Sequence, residues 1–266
     1  MGVESACVEY IVGTMSLRLL APALALQNLA SQCAVCHSWP ARRICAPCLA
    51  RFTMAQVRCS TCALTLPLGL SVATAADSTQ CAACVRQPPP LKACYSAVTY
   101  GYPWSALIAS YKFSDDPAWA TDFARLVLQT PGVSEALATL QADDWILPLP
   151  LAAERLQTRG FNQAWELVKA LARQSDSVAR SDGRLLLRVK HTLPQSQLKR
   201  AERLKNMRDV FVVAPLRVAE LQGRRVLLVD DVMTSGASLF AAAQALRDAG
   251  AEQVTGVVFA RTEARQ

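Results

Sequence analysis

Residues 226–238 read Val-Leu-Leu-Val-Asp-Asp-Val-Met-Thr-Ser-Gly-Ala-Ser. Four apolar residues in a row, Val226–Val229, predict a central parallel strand buried on both faces. Asp230 and Asp231 then fall at its carboxyl end, the edge where open α/β sheets bind ligands. Thr234, Ser235, Gly236, Ala237 and Ser238 follow and lead into a helix. Backbone N–H groups at a helix start, reinforced by the positive end of its dipole, make a phosphate site. Gly236 permits a tight bend and close approach, and the hydroxyls of Thr234, Ser235 and Ser238 can donate. Two adjacent carboxylates need another partner: vicinal hydroxyls, a divalent cation, or both. A phosphorylated sugar satisfies the whole set.

Competing readings fail on position. A Walker phosphate loop requires Gly-Lys-Ser/Thr, and this loop has no lysine. A response-regulator receiver also carries acids after an apolar strand, but only 35 residues follow Asp231. A plain strand and capped helix would leave two neighbouring acids at the sheet edge without a partner, which is unfavourable.

Outward from this stretch the chain alternates. From Leu91 the pattern predicts a strand over Tyr95–Tyr100, a turn at Gly101–Pro103, and helices over Trp104–Tyr111 and Ala118–Gln129. A strand over Trp145–Leu149 and an amphipathic helix over Gln163–Arg173 follow. After the Val226–Val229 strand come a helix over Leu239–Ala249, stopped by Gly250, and a strand over Val254–Phe259. Strands alternating with helices imply an α/β fold, a mostly parallel sheet flanked by helices.

The region before Leu91 differs. Eight of the ten cysteines form four Cys-x-x-Cys pairs: Cys33/Cys36, Cys45/Cys48, Cys59/Cys62 and Cys81/Cys84. Such repeated spacing points to metal rather than disulfides, because each pair turns two thiolates toward one tetrahedral ion. Two structural Zn²⁺ sites in sequential pairing are expected, with crossed pairing and iron–sulfur ligation as alternatives. Cys33-x-x-Cys36-His37 also fits a haem-attachment pattern, but three further pairs make that match a coincidence. Closed four-thiolate sites leave no open position for catalysis. This module has too few apolar residues for a core of its own, so it needs metal to fold. Gln87 and Pro88–Pro90 read as a stiff linker.

Reduced thiols imply a cytoplasmic protein. The apolar stretch Leu17–Leu29 imitates a signal sequence, but Pro22 interrupts it and Glu4 and Glu9 precede it. A helical leader over residues 1–32 is expected instead, with Met15 as an alternative start. No segment reaches the roughly 18 apolar residues of a membrane span. The organisation expected is therefore a leader (1–32), a double zinc ribbon (33–86) and an α/β domain (91–266). A hydrophobic fraction of 52% supplies a core, and the net charge of +7 suits a phosphate-rich ligand.

The stretch at 226–238 closely resembles the 5-phosphoribosyl pyrophosphate (PRPP) signature of type I phosphoribosyltransferases. Ile146–Leu151, Arg159-Gly160-Phe161-Asn162-Gln163, and Gln195-Ser196 with Arg200-Ala201-Glu202-Arg203 and Asn206 are similar to motifs of the ComF competence family. So is the double zinc ribbon placed ahead of a transferase domain. The resemblance implies that Asp230 and Asp231 contact ribose hydroxyls and that Thr234–Ser238 cradle the 5′-phosphate. Pro150, Leu151, Ala152 and Arg155 are the pyrophosphate-loop candidates, although Leu151–Ala153 is less polar than in relatives.

Arg184, Arg188, Lys190, Lys199, Arg200, Arg203, Lys205 and Arg208 form a basic run with Glu202 as its one acid. Such a run is commonly a solvated face. In the family resembled, a loop in this place closes over PRPP, which makes Lys199, Arg200 and Arg203 the catalytic-loop candidates. Lys199 stands where relatives often carry a small residue. The implied reaction is glycosyl transfer at ribose C1, with Mg²⁺ held by pyrophosphate and sugar hydroxyls. The alternative is a non-catalytic protein handling single-stranded DNA, which suits the cations and the family's link to DNA uptake in natural transformation. No Trp or Tyr is interleaved with the basic run, so the sequence offers no stacking platform there.

Overall fold

The computed structural model describes residues 31–67, 72–73, 79–114, 116–189 and 210–263. The predicted leader, Met15, and the part of the basic run holding Lys199, Arg200 and Arg203 lie outside the described residues. Contacts divide the chain into two units, one ending at Cys45 and one beginning at Ala46.

In the first unit, Ser31 and Ala41 pair as an isolated antiparallel bridge. Between them the chain turns at Cys33–His37, where the His37 N–H donates to the Cys33 carbonyl at 2.9 Å. Ile44 is buried.

The second unit carries the strands β1 (Val72–Ala73), β2 (Thr79–Gln80), β3 (Ala93–Thr99), β4 (Trp145–Pro148) and β5 (Arg180–Ser181). They are followed by β6 (Leu186–Arg188), β7 (Phe211–Val213), β8 (Arg225–Met233) and β9 (Gln253–Arg261). Its helices are α1 (Ala46–Phe52), α2 (Ala82–Arg86), α3 (Trp104–Phe113) and α4 (Trp119–Leu128). They continue with α5 (Val133–Ala138), α6 (Ala153–Arg159), α7 (Gln163–Gln174) and α8 (Ala237–Asp248). The main sheet has the order β3-β9-β8-β4-β5, and each of its pairings is parallel. All five carboxyl ends therefore face one edge, as expected of a sheet built from crossover connections. Antiparallel β6 and β7 form a separate two-stranded piece.

Both faces of this sheet are covered, which is why β8 and β9 read as apolar runs. On one face aromatic rings interlock: Phe123 of α4 stacks on Phe259 of β9 with centroids 3.9 Å apart, and Trp104 meets Phe259 edge-on. Leu239, Ala242, Ala243 and Leu246 of α8 are buried in a core cluster with Val226 and Leu228 of β8. Cys59, Cys62, Cys81 and Cys84 belong to that same cluster. The second half of the cysteine region thus shares its apolar packing with the sheet, which answers its lack of a core of its own.

Differences from expectation lie mainly at element ends. The predicted strand Val226–Val229 runs on through both acids to Met233, because β9 stays in register beside it as far as the Met233–Arg261 pair. On its other side β4 stops at Pro148, opposite Val229. The acids therefore emerge where one neighbour ends, while the strand itself continues.

Candidate functional site

Three structural decisions build the site at the carboxyl edge of β8. First, alternation along the strand turns successive side chains to opposite faces, so Asp230 is half-buried while Asp231 is buried. Their backbone still links them: the Asp231 N–H donates to Asp230 Oδ1 at 2.8 Å. Burial pushes the Asp230 carboxyl well above the usual carboxylate range, and the neighbouring Asp231 charge pushes the same way.

Second, the chain reverses at Gly236, whose φ of +83° lies in the left-handed region. A Cβ there would sit 2.5 Å from Met233 Cε and 2.7 Å from the Phe240 ring, so glycine is required for shape as well as dihedral. The Phe240 N–H closes the first turn of α8 onto the Gly236 carbonyl at 2.8 Å, and Ser235 Oγ accepts from the Ala237 N–H at 3.4 Å. Residues 232–239 and Asp230 line a cup of about 40 Å³ at this helix start. All five predicted phosphate-loop residues line this cup. A larger hollow of about 240 Å³ opens at the amino ends of β3, β8 and β9, lined in part by Lys92, Tyr95, Glu135 and Arg225. It lies at the opposite end of the sheet from the acids and contains none of the loop.

Third, cations gather at the acid pair. Lys112 of α3 places its Nζ 2.8 Å from Asp231 Oδ2, with both side chains largely buried. Arg159, at the end of α6, feels the charges of Asp231 and Asp230, which oppose the lowering of its pKa by burial. Arg188 of β6 is likewise lowered by burial, with Arg155 lowering it further and Asp230 opposing. Sequence reasoning missed Lys112: nothing in a Tyr-Lys-Phe triplet on an amphipathic helix announces that β8 will cross its end.

The pyrophosphate-loop candidates Pro150, Leu151 and Ala152 follow β4 directly. The Leu149 N–H donates to the Val229 carbonyl at 2.7 Å, which holds the start of this loop beside the first acid. Asn162 fixes its return, donating to the Leu149 carbonyl at 3.2 Å while its Oδ1 caps α7 at the Ala164 N–H. Arg155 projects from α6, which has no buried residue.

The cysteines gather as two sets, Cys33, Cys36, Cys45 and Cys48, and Cys59, Cys62, Cys81 and Cys84, with all sulfurs of a set within 4.8 Å of one another. Sulfur separations of 3.5 Å (Cys36–Cys45) and 3.7 Å (Cys62–Cys81) match the edge of about 3.8 Å implied by a tetrahedral Zn–S bond of ~2.3 Å. A multi-iron cluster would hold its thiolates wider, so each set has the dimensions of a single-ion site. N–H groups also point at the sulfurs, from Cys45 to Cys33 Sγ and from Cys81 to Cys59 Sγ, each at 3.3 Å. The donor set fits zinc, and exposed His37 stands outside it. Buried Cys94 belongs to neither set, and burial pushes its thiol up to about 12, so it remains protonated.

This geometry agrees with what the chain is similar to. The family description "Phosphoribosyl transferase domain" matches residues 151–266. The chain is 31% identical over 210 residues to DNA utilization protein YhgH of Salmonella typhimurium, covering 77% of this chain and 90% of that protein. It is 32% identical over 174 residues to competence protein F of Haemophilus influenzae, covering 65% of this chain and 75% of that protein.

The chain belongs to the ComF family.

A shorter similarity, 33% identity over 105 residues, links it to competence protein ComFC of Bacillus subtilis, covering 40% and 39% of the two chains. The ComF membership, the phosphoribosyltransferase-type domain and the parallel sheet flanked by helices agree on the fold. Among the described residues, no helix is long and apolar enough to cross a membrane.

Proposed function

We propose that this ComF-family chain binds PRPP and transfers its phosphoribosyl group to an acceptor in the cytoplasm, in a pathway of DNA uptake or utilization. The observation that carries the reading is the cup at the start of α8, where a phosphate-sized hollow shares a wall with Asp230. A 5′-phosphate there accepts from the loop N–H groups and from Thr234, Ser235 and Ser238. Asp230 and Asp231 accept hydrogen bonds from the ribose hydroxyls, which relieves the electrostatic conflict between two adjoining acids.

Lys112, Arg159 and Arg188 stand near the acids, with Arg155 near the two arginines, and they neutralise the charge that develops on a departing pyrophosphate. The acceptor's lone pair forms a bond to ribose C1 as the C1–oxygen bond to pyrophosphate breaks. The electron pair leaves on pyrophosphate, and the acceptor's proton passes to solvent. Mg²⁺, if held with the pyrophosphate and the sugar hydroxyls that Asp230 and Asp231 bind, would supply further charge neutralisation. Residues 33–86 hold structural zinc in this reading and residues 91–266 the transferase region. Thiolates that serve as metal ligands suit a reducing compartment.

Release of pyrophosphate from PRPP and Mg²⁺, measured across a panel of base and amine acceptors, tests transfer. Binding without release for any acceptor would favour a second reading, a protein that handles single-stranded DNA on the same fold. One observation speaks for it: exposed Phe113 lies under the Arg159 guanidinium at 5.1 Å, and Tyr102 is exposed beyond β3. Aromatic faces beside cations are what successive bases stack on. Under that reading, affinity for single strands falls steeply with salt and falls again when Lys199, Arg200 and Arg203 become Ala.

A further inference from the structure

Arg261 ends β9 and is 6% exposed, one of few charged side chains buried among the described residues. Its guanidinium bridges two parts of the protein by hydrogen bonds. On one side, Nε donates to the Cys62 carbonyl at 3.0 Å. Cys62 is a member of the second cysteine set. On the other side, Nη1 donates to the Met233 carbonyl at 3.2 Å and to the Thr234 carbonyl, where the phosphate loop begins. Thr262 adds to this second grip: its N–H donates to the Met233 carbonyl at 3.1 Å and its Oγ1 to the Thr234 carbonyl at 3.2 Å.

The cysteine knuckle is tied down independently. Arg58 donates to the Ala63 carbonyl at 3.1 Å and to Thr99 Oγ1, at the end of β3, at 2.9 Å. The Cys94 N–H of β3 donates to the Ser60 carbonyl at 2.9 Å. A zinc ion with four thiolates is net negative, and Arg58 and Arg261 stand beside that charge as buried or half-buried cations. A carbonyl accepting from a buried guanidinium is in turn a charge-assisted contact, costly to leave unmade. The position of the Cys62 carbonyl therefore fixes the guanidinium, and the guanidinium fixes the first peptide of the loop.

We propose that Arg261 is a positioning residue that couples the metal site at Cys59, Cys62, Cys81 and Cys84 to the phosphate loop, so that zinc there raises the affinity for a phosphorylated ribose. The inference rests on the phosphate reading of the Thr234–Ser238 loop given above. By linkage the ligand must raise the zinc affinity of that site by the same factor.

The test uses the full-length, zinc-loaded chain as wild type, Arg261→Lys and Arg261→Met. Three quantities are measured: ribose 5-phosphate affinity by calorimetry, zinc affinity by chelator competition with and without ribose 5-phosphate, and amide hydrogen exchange at residues 234–238. In the wild type, ribose 5-phosphate should tighten the zinc held by Cys59, Cys62, Cys81 and Cys84 by about 5–10-fold, within the range of ordinary allosteric coupling. In Arg261→Met the coupling factor should fall to about one, ligand affinity should drop by a similar factor, and loop amides should exchange faster. Arg261→Lys keeps the charge without the fork and should fall between the two, even if Arg261→Met fails to fold.

Wild-type zinc affinity indifferent to bound ribose 5-phosphate overturns the coupling while leaving the phosphate site standing. So does an Arg261→Lys protein with unchanged linkage and unchanged loop exchange. No binding of ribose 5-phosphate by any form overturns the phosphate reading and the inference with it.

Discussion

Replacing Gly236 with Ala separates a loop that merely joins a strand to a helix from one shaped around an anion. At φ +83° the left-handed backbone costs an alanine about 1–2 kcal/mol. The added Cβ would also lie 2.5 Å from Met233 Cε and 2.7 Å from the Phe240 ring. The methionine methyl can swing aside, but the ring of Phe240 is rigid and must shift with its helix turn. That overpacking adds about 1 kcal/mol, and the sum of about 2–3 kcal/mol lowers the melting temperature by roughly 4–12 °C. Because the strain falls on the N–H groups that face the cup, phosphate affinity should fall at least about tenfold, which corresponds to ~1.4 kcal/mol.

Gly223→Ala is the matched control. Its φ is +68°, yet nothing lies within 4 Å of its Cβ, so it should show the backbone cost alone and full ligand binding. Thermal unfolding and calorimetry with PRPP and Mg²⁺ on both variants decide the matter. Equal melting shifts in the two, with phosphate affinity kept in Gly236→Ala, would refute the reasoning.

Other outcomes follow from the same geometry. Asp230 has a folded-state pKa raised above its unfolded value of 3.8, so the folded protein holds a proton that the unfolded chain has lost. Ligand-free stability should therefore fall as pH rises from about 3.8 through the raised value, and Asp230→Asn should remove that loss; urea titrations across pH check it. Lys112→Met strips the partner from buried Asp231 and should cost on the order of 3 kcal/mol, read by denaturant unfolding at neutral pH. Metal analysis should give about two zincs per chain; iron with visible absorbance would contradict the zinc assignment. Chelation should unfold the second set together with the sheet, lowering the melting temperature of the whole second unit rather than releasing an independent module.

Much of this was legible because one stretch of residues is a strand, a pair of acids and a glycine turn in immediate succession. The apolar runs of β4, β8 and β9 and the amphipathic α4 and α7 gave their own periods. Less legible were elements without a buried stripe. α6 buries no side chain, and β6 has three residues whose partner β7 returns only after residue 210. The reach of β8 to Met233 was hidden because two acids look like a strand's end, when in fact their burial alternates as a strand's should. Lys112 and Arg261 were invisible for a different reason. Each acts across the sheet on a residue distant in sequence, and such contacts leave no local spacing to read. The cysteine spacing, by contrast, carried its geometry in the sequence itself.

The measurement closest to the central claim is calorimetry with PRPP and Mg²⁺ on the wild type and on the double variant Asp230→Asn, Asp231→Asn. Saturable binding by the wild type, lost in a double variant that still folds and keeps its zinc, is the predicted result. No binding by the folded, zinc-loaded wild type, or undiminished binding by the variant, would contradict it.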